Sequence, residues 1–335
     1  MATHFFGIRD WAFSHSNTIG RVSVSGEGFL SPVDLALAPN GSIYVVNRAW
    51  EYRPDALRVS MCNLAEDYLG EFGSAGEGDG QFIWPTSIAL DSEQNVYIGD
   101  EWLNRISVFN KDGKFLRAWG KAGSGDGELN RPSGLAFSRD NVLFLADSRN
   151  HRVQKFTPDG RYLGQFGGFG SGAGQLNLPW GIGLDKDSNV YVADWRNDRI
   201  QKFALDGKWL ATFGSSGSGI GQFNRPSGVC VDTDGEIYVA DRQNDRVQIL
   251  SPTGRFITAL RGDGRMSKWG KQQLVANSDM IRQRALALVN DDGAHERLFS
   301  FPCAVKIDDQ YHLAVLDSSR SRIQVYTKSK QPVLN

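Results

Sequence analysis

Paired acidic and basic residues recur along this 335-residue chain at one spacing. An aspartate stands five residues before an arginine in five places: Asp100 and Arg105, Asp147 and Arg152, Asp194 and Arg199, Asp241 and Arg246, and Asp317 and Arg322. A carboxylate beside a guanidinium can do chemistry, but it can equally satisfy loop amides and take a bidentate contact from arginine. Because an enzyme needs one site and not five equivalent ones, the spacing favours a scaffold role.

Two carboxylates break this pattern and are the weak candidates for acid–base catalysis. Asp34 comes two residues after Pro32, and Glu101 directly follows Asp100. A carboxylate in an aromatic, poorly hydrated pocket can be tuned toward neutral pH. The sequence shows no nucleophile–base pair, and its three cysteines form no CxxC motif. We therefore expect no metal site and no cofactor.

The elements that position these residues repeat every 47 residues, as shown by Pro85, Pro132, Pro179 and Pro226. A fixed period of this length indicates one structural unit repeated along the chain. In the unit that follows Pro179, short apolar or alternating runs over 181–184, 190–193, 199–203 and 209–213 are separated by turn residues. Four short strands joined by turns predict an antiparallel meander.

Six such units can cover one another only if they are arranged radially. The units begin at Pro32, Pro85, Pro132, Pro179, Pro226 and Pro302. The last unit has three evident strands, and we expect residues 21–25 to supply its fourth. The prediction is an all-β, six-bladed β-propeller of four-stranded antiparallel blades, formed by residues 1–335 as a single domain.

The repeated text resembles that of NHL-repeat propellers. Its pattern is P-x-G-I/V-A-x-D, then I/V-Y-V-A-D, then N-x-R-I/V-Q. The resemblance implies the propeller fold and leaves function open, because such propellers are binding platforms, RNA readers, lyases and hydrolase-like enzymes. In the related amidating lyases, a histidine follows the blade proline in three blades and binds zinc. The matching residues here are Val33, Thr86, Ser133, Trp180, Ser227 and Cys303, so that zinc site is not implied. The carboxylate and asparagine set of gluconolactonase-like propellers is not apparent either.

Propeller topology places the link into each blade and the connector between its second and third strands on one face, here called the top face. Five tryptophans break the repeat in these segments: Trp50, Trp84, Trp102, Trp180 and Trp195. Large apolar side chains are rarely left in solvent in such numbers. They predict either a ligand-lined mouth of the central channel or packing beneath an inserted segment.

Arginines also gather in these connectors. Arg48, Arg149, Arg196, Arg242 and Arg320 follow the second strands of five blades. Spread around a ring, they could converge on a carboxylate or phosphate, or they could form a solvated rim. Cys303 occupies a predicted channel position, and either core packing or ligand contact is open for it.

An insertion separates blades five and six, because Pro226 and Pro302 are 76 residues apart. Within residues 262–301, Ile281, Ala285 and Leu288 form an apolar helical stripe, with Asn277 or Ser278 as its cap. We therefore expect a helical insertion on the top face. It could be a lid over the mouth or a helix packed on the rim of blades five and six.

The leading hypothesis is a ligand-binding or interaction propeller that receives a small molecule or peptide at the top mouth. The alternatives are a lyase or hydrolase acting in the same pocket and a protein–protein scaffold with a protein partner. The net charge of −1 disfavours nucleic acid as a partner. No apolar run approaches the length of a membrane span, and no secretory signal is evident, so a cytoplasmic protein is expected.

Overall fold

Six four-stranded antiparallel sheets form a closed ring in the computed structural model, which describes residues 11–49, 53–276, 279–283 and 293–330. The innermost strand of each sheet contacts the innermost strands of both neighbouring sheets, and blade six contacts blade one. The predicted six-bladed propeller is therefore confirmed.

The blades follow the proline repeat. Blade one has the strands Pro32–Leu37, Ser42–Asn47, Arg58–Asn63 and Tyr68–Phe72. Blade two has Pro85–Leu90, Val96–Asp100, Arg105–Phe109 and Phe115–Trp119. Blade three has Pro132–Phe137, Leu143–Asp147, Arg152–Phe156 and Tyr162–Gly167. Blade four has the strands Pro179–Leu184, Val190–Asp194, Arg199–Phe203 and Trp209–Phe213. Blade five has Pro226–Val231, Ile237–Asp241, Arg246–Leu250 and Phe256–Leu260. Blade six has Pro302–Ile307, His312–Asp317 and Arg322–Lys330, and its fourth strand is Trp11–Ile19.

Shorter elements lie in the links and connectors. The short strands Ser74–Ala75 and Gln81–Phe82, and likewise Ser215–Ser216 and Gln222–Phe223, pair in parallel. Single 3₁₀ turns span Pro54–Ala56, Ser148–Asn150, Trp195–Asn197, Arg242–Asn244 and Ser318–Arg320. Helices span Lys268–Val275 and Ala294–Arg297, and residues 279–283 are also helical. No described helix has both the length and the apolar character needed to cross a membrane.

The ring is closed by a strand earlier in the chain than the one predicted. Residues 21–25 do not form the fourth strand of blade six; Trp11–Ile19 does, pairing antiparallel with Arg322–Lys330. Residues 21–29 instead belong to the link between blades six and one, where the Phe29 amide donates to the Arg21 carbonyl oxygen. The error arose because outer strands vary between blades and carry little of the repeat.

The hydrophobic cores lie between neighbouring sheets. One cluster joins Tyr97 and Val108 of blade two to Leu135, Leu145 and Phe156 of blade three, all at most 2% exposed. Equivalent clusters fill the other junctions between blades. No blade therefore has a complete core of its own, as expected of a repeat architecture.

The repeated Asp–Arg pairs hold this scaffold together. In blade three, Asp147 Oδ2 accepts from Arg152 Nε at 2.8 Å, and its Oδ1 accepts from the amide of Asn130 in the link. Arg152 also donates to the link carbonyls of Ser124, Gly125 and Glu128. Blades four, five and six have the same ion pair. In blade two, Asp100 accepts only backbone amides among the described residues, and Arg105 donates to the link carbonyl oxygens.

The inserted segment begins on the outer perimeter of the ring. Trp269, in the helix Lys268–Val275, is 1% exposed and packs in the core between blades six and one, with its ring 6.0 Å from that of Phe29. Ser267 caps the helix by accepting from the Gly270 amide and donates to the Gly20 carbonyl oxygen. Glu66, in the outer turn of blade one, accepts from the Lys268 amide.

This first helix, which the sequence pattern did not predict, is thus a rim element at the junction of blades six and one. Of the predicted apolar stripe, Ile281 is 45% exposed, whereas Ala285 and Leu288 and the caps Asn277 and Ser278 lie outside the described residues.

Candidate functional site

Two sets of side chains surround the upper end of the channel, and together they are called the mouth here. One set precedes the blade prolines: Ser31, Trp84, Arg131, Leu178, Arg225 and Phe301. The other set comprises the first three residues after each second strand, which include Arg48, Glu101, Trp102, Arg149, Trp195, Arg196, Arg242 and Arg320. The predicted Trp50 belongs to this second set but lies outside the described residues.

The first cluster of the mouth joins blades one and two. Arg48 Nη2 lies 2.6 Å from Glu101 Oε1, and the Arg48 guanidinium lies 4.6 Å from the Trp84 ring centre. The rings of Trp84 and Trp102 meet edge to face at 5.6 Å. Trp102 is 54% exposed, whereas Glu101 is buried. Because Arg48 neutralises Glu101, this blade-two cluster offers aromatic surface without net charge, and Glu101 is not free as a base.

The second cluster joins blades four and five. The Trp195 ring lies 4.6 Å from the Arg225 guanidinium and 5.5 Å from that of Arg196. Trp180 lies beside it, with ring centres 6.1 Å apart. Arginine stacked on an indole is held flat and keeps its outer N–H groups for a ligand. This blade-four cluster therefore combines aromatic surface with two positive charges.

The remaining mouth arginines lack carboxylate partners among the described residues. Arg242 lies 5.8 Å from the Phe301 ring centre, and Arg320 donates to the His295 carbonyl oxygen. No ion pair forms at Arg131, Arg149, Arg196, Arg225, Arg242 or Arg320 within the described part of the chain. The mouth is therefore strongly cationic on the side of blades three to six.

Two aspartates reduce this charge only in part. Asp198 and Asp245 follow the mouth positions by one residue, and their Oδ1 atoms accept the backbone amides of Arg225 and Phe301. These bonds fix the backbone of Arg225 and Phe301, the residues before Pro226 and Pro302. The φ angles of Arg225 and Phe301 are near +54°. Both carboxylates thus serve to hold the mouth in shape.

Below the mouth, the residues that follow the blade prolines brace the channel wall. The hydroxyl groups of Thr86, Ser133 and Ser227 each donate to a carbonyl oxygen of the next blade, at 2.8 to 2.9 Å. Cys303 Sγ contacts the Val33 carbonyl oxygen at 3.3 Å. Burial raises the pKa of the Cys303 thiol to about 12, so it stays protonated. The structure places Cys303 in the wall of the channel, not at its opening.

The channel itself is narrow. Its cavity has a volume of about 20 Å³, which holds little more than water. A Cβ atom added at Gly134 would lie 2.1 Å from the Trp180 carbonyl oxygen, and one at Gly181 would lie 2.5 Å from that of Ser227. Glycine at these positions lets the inner strands approach backbone to backbone, and this closes the centre of the ring.

Asp34 lies in the channel wall and contacts three blades. Its carboxylate accepts the amides of Leu35 and Ile88 at 2.9 and 3.0 Å and lies 4.0 Å from Lys306 Nζ. Burial raises the pKa of Asp34, and the charge of Lys306 opposes this rise. The carboxyl group can therefore hold a proton at higher pH than an exposed aspartate, although the space beside it admits only water.

Some site residues were missed by sequence reasoning. Lys306 was missed, although it is the only charged residue at its position in the repeat. The matching residues of the other blades are small: Ala36, Ala89, Ala136, Gly183 and Cys230. Arg131, Arg225 and Phe301 were also missed, although Trp84 at the equivalent position had been noted. Aligning the repeats column by column would have revealed these residues.

No group of three or more histidine, cysteine, aspartate or glutamate side chains is arranged to hold a metal ion within the described residues.

Comparisons with known proteins agree with this architecture. The NHL-repeat profile matches residues 223–250, and that of the SMP-30/gluconolactonase/LRE-like region matches residues 88–215. The resemblance to these propellers is thus confirmed. No curated protein matches the chain.

Several solved structures share the fold at low sequence identity. A protein of unknown function from Bacteroides thetaiotaomicron is 17% identical, with a TM-score of 0.63, over 95% of this chain and 76% of that one. A streptogramin B lyase is 12% identical, with a TM-score of 0.57, over 95% and 98% of the two chains. A catalytically inactive virginiamycin B lyase from Staphylococcus aureus, solved with quinupristin, is 12% identical, with a TM-score of 0.52, over 95% and 88%. These similarities show the fold alone.

Proposed function

We propose that this protein is a binding propeller whose mouth receives a small molecule or peptide with an aromatic or apolar body and an anionic group. The observation that carries the proposal is the blade-four cluster, in which Arg196 and Arg225 lie against Trp195 and have no carboxylate partner among the residues that the structure describes. Two stacked guanidinium groups can bind a carboxylate or phosphate bidentately beside an aromatic surface.

The blade-two cluster supplies the apolar half of this site. Trp84 and Trp102 are 37% and 54% exposed, and they form one continuous aromatic surface. Blades one and two lie opposite blades four and five in a ring of six. A ligand that spans the mouth would therefore place its anionic end toward Arg225 and its apolar end toward Trp102.

Binding is favoured over catalysis by the state of the two acid–base candidates. Glu101 is held by Arg48 at 2.6 Å, and Asp34 faces a cavity of about 20 Å³. The raised pKa of Asp34 is the observation that keeps a lyase or hydrolase as the second candidate. Such an enzyme would need the channel to widen before a substrate could reach Asp34.

A screen of small acids, amides and peptides by thermal shift tests the proposal. Wild type, Trp102→Ala and Trp195→Ala are compared, since Trp102 is more than half exposed and its loss should not unfold the protein. We expect aromatic acids to stabilise the wild type more than either variant. Equal shifts in all three proteins for every compound would refute a ligand site at the mouth and would favour the scaffold alternative.

We also place the protein in the cytoplasm. Cys62, Cys230 and Cys303 are all buried free thiols, which fits a reducing compartment. Fractionation of cells that express the tagged full chain tests this location.

A further inference from the structure

A second cavity opens on the face opposite the mouth. It has a volume of about 200 Å³ and lies between the first turns of blades three, four and five, with Asp309 of blade six at its edge. It is called the lower pocket here. The channel cavity of about 20 Å³ is too small for a ligand to pass, so the lower pocket is a separate site from the mouth.

The floor of the lower pocket is apolar. Phe137, Leu184 and Val231 end the first strands of three successive blades and line the pocket. Each is partly buried and packs on a core between two blades. An apolar group placed on this floor would cover surface that is now only half protected from water.

Two of the carboxylates in the pocket wall are already neutralised. Asp185 lies 3.1 Å from Lys202 Nζ, and Asp232 lies 2.6 Å from Lys328 Nζ. Both also accept the backbone amides of their own turns. Neither is therefore free to bind a cation from solution.

The unpaired charges of the pocket are of both signs and lie on different sides. Arg139 and Lys186, from blades three and four, are exposed and form no ion pair among the described residues. Asp309, from blade six, is exposed and likewise has no cationic partner there. Asp140 and Asp187, their sequence neighbours, do not line the pocket.

We propose that the lower pocket binds a small zwitterion with an apolar side group, such as a free amino acid of the size of leucine. Arg139 and Lys186 bind the carboxylate, Asp309 binds the ammonium group, and the floor covers the side group. A volume of about 200 Å³ is large enough for one amino acid. This site is independent of the function proposed for the mouth.

Binding of three probes that differ by one charge tests the proposal. Leucine has both charges, isocaproate lacks the ammonium group, and leucinamide lacks the carboxylate. Binding to the full chain is followed by ligand-observed NMR and by titration calorimetry. We expect leucine to bind more tightly than either of the other probes.

Two variants divide the two charges. We expect Arg139→Gln to weaken leucine and isocaproate roughly tenfold and to spare leucinamide, since one charged hydrogen-bonding group is lost. Asp309→Asn should weaken leucine and leucinamide and spare isocaproate. Both residues are exposed, so the variants should fold. Arg255→Gln, at an exposed arginine in an outer turn of blade five that does not line the lower pocket, is the control with the same change of charge.

The proposal is overturned if leucine does not bind at tens of millimolar, or if isocaproate binds as tightly as leucine. It is also overturned if Arg255→Gln weakens leucine binding as much as Arg139→Gln does. Any of these results would leave the function proposed for the mouth intact.

Discussion

The guanidinium of Arg225 lies 4.6 Å from the centre of the Trp195 ring, and the two residues come from different blades. Arg225 directly precedes the first strand of blade five, and Trp195 directly follows the second strand of blade four. Arg225 Nη1 also donates to the Trp195 carbonyl oxygen at 3.4 Å. The contact fixes one wall of the mouth and leaves the rest of the guanidinium available to an anion.

Because the helix Lys268–Val275 packs on the rim, we expect Trp269→Ala to lower the stability of the protein strongly. Trp269 is 1% exposed between blades six and one, so its removal should lower the free energy of unfolding by about 3–5 kcal/mol. Trp209→Ala is the control, because Trp209 on an outer strand is 40% exposed. Urea denaturation followed by circular dichroism measures both. If Trp269→Ala costs no more than Trp209→Ala, the helix does not pack where the structure places it.

Lys328 joins blade six to blade five and is predicted to stabilise closure of the ring. Its side chain is 0% exposed, and its Nζ lies 2.6 Å from Asp232 and 2.8 Å from Asp234. The rings of Trp11 and Tyr311 flank it, with their centres 4.7 and 4.9 Å away. Lys328→Met would leave Asp232 buried without its cation, at a cost of about 3–5 kcal/mol.

The control for this variant is Lys268→Met, which removes the exposed ion pair between Lys268 and Asp67. Thermal melting should show a large drop in Tm for Lys328→Met and almost none for Lys268→Met. Adding Asp232→Asn to Lys328→Met should restore part of the loss. Equal Tm values for the two single variants would contradict a role for Lys328 in closing the ring.

We expect His15, on the closing strand Trp11–Ile19, to cause part of the loss of stability at acid pH. The Nε2 atom of the His15 ring forms a hydrogen bond of 3.0 Å with Thr18 Oγ1. Burial lowers the pKa of His15 below 6.5, and the positive charge of Arg265 lowers it further. The unfolded chain therefore binds this proton at a higher pH than the folded protein does. Stability should fall as the pH falls below about 6.5 and should level off below the folded-state pKa.

His15→Gln should weaken this pH dependence, because the variant has no group that titrates at this position. The measurement is the midpoint of urea denaturation at intervals between pH 7 and pH 5, the range in which histidines titrate. Parallel curves for wild type and His15→Gln would show that His15 does not contribute.

The fold could be predicted because the same sequence pattern recurs in six blades. The six blade prolines, the five Asp–Arg pairs and the second strands that resemble Val-Tyr-Val-Ala-Asp of blade four carry the same structural information. The closing strand Trp11–Ile19 carries none of it, and its partner Arg322–Lys330 lies at the other end of the chain. Pairing of this kind depends on the closed ring, which local sequence patterns do not specify.

The site was predictable only in outline. The excess of tryptophan and arginine on one face follows from the departures from the repeat, but the pairing of Arg48 with Glu101 and of Arg225 with Trp195 depends on contacts between blades. The narrow channel depends on close approach of inner strands at Gly134 and Gly181. The helix Lys268–Val275 was not predicted, because the surface that Trp269 packs on, at the junction of blades six and one, exists only after the ring closes.

We propose above all that the cationic blade-four cluster binds the anionic end of a ligand. The most direct test is calorimetric titration with the aromatic acid that stabilises the protein most and with its neutral amide. Wild type is compared with Arg196→Gln/Arg225→Gln and with Arg255→Gln, an exposed arginine in an outer turn of blade five.

We predict that wild type and Arg255→Gln bind the acid at least about tenfold more tightly than the amide, as expected for one charged hydrogen-bonding group. The double variant should lose this preference, and added salt should reduce it in the wild type. Equal affinities for acid and amide in the wild type, or an unchanged preference in the double variant, would contradict the claim.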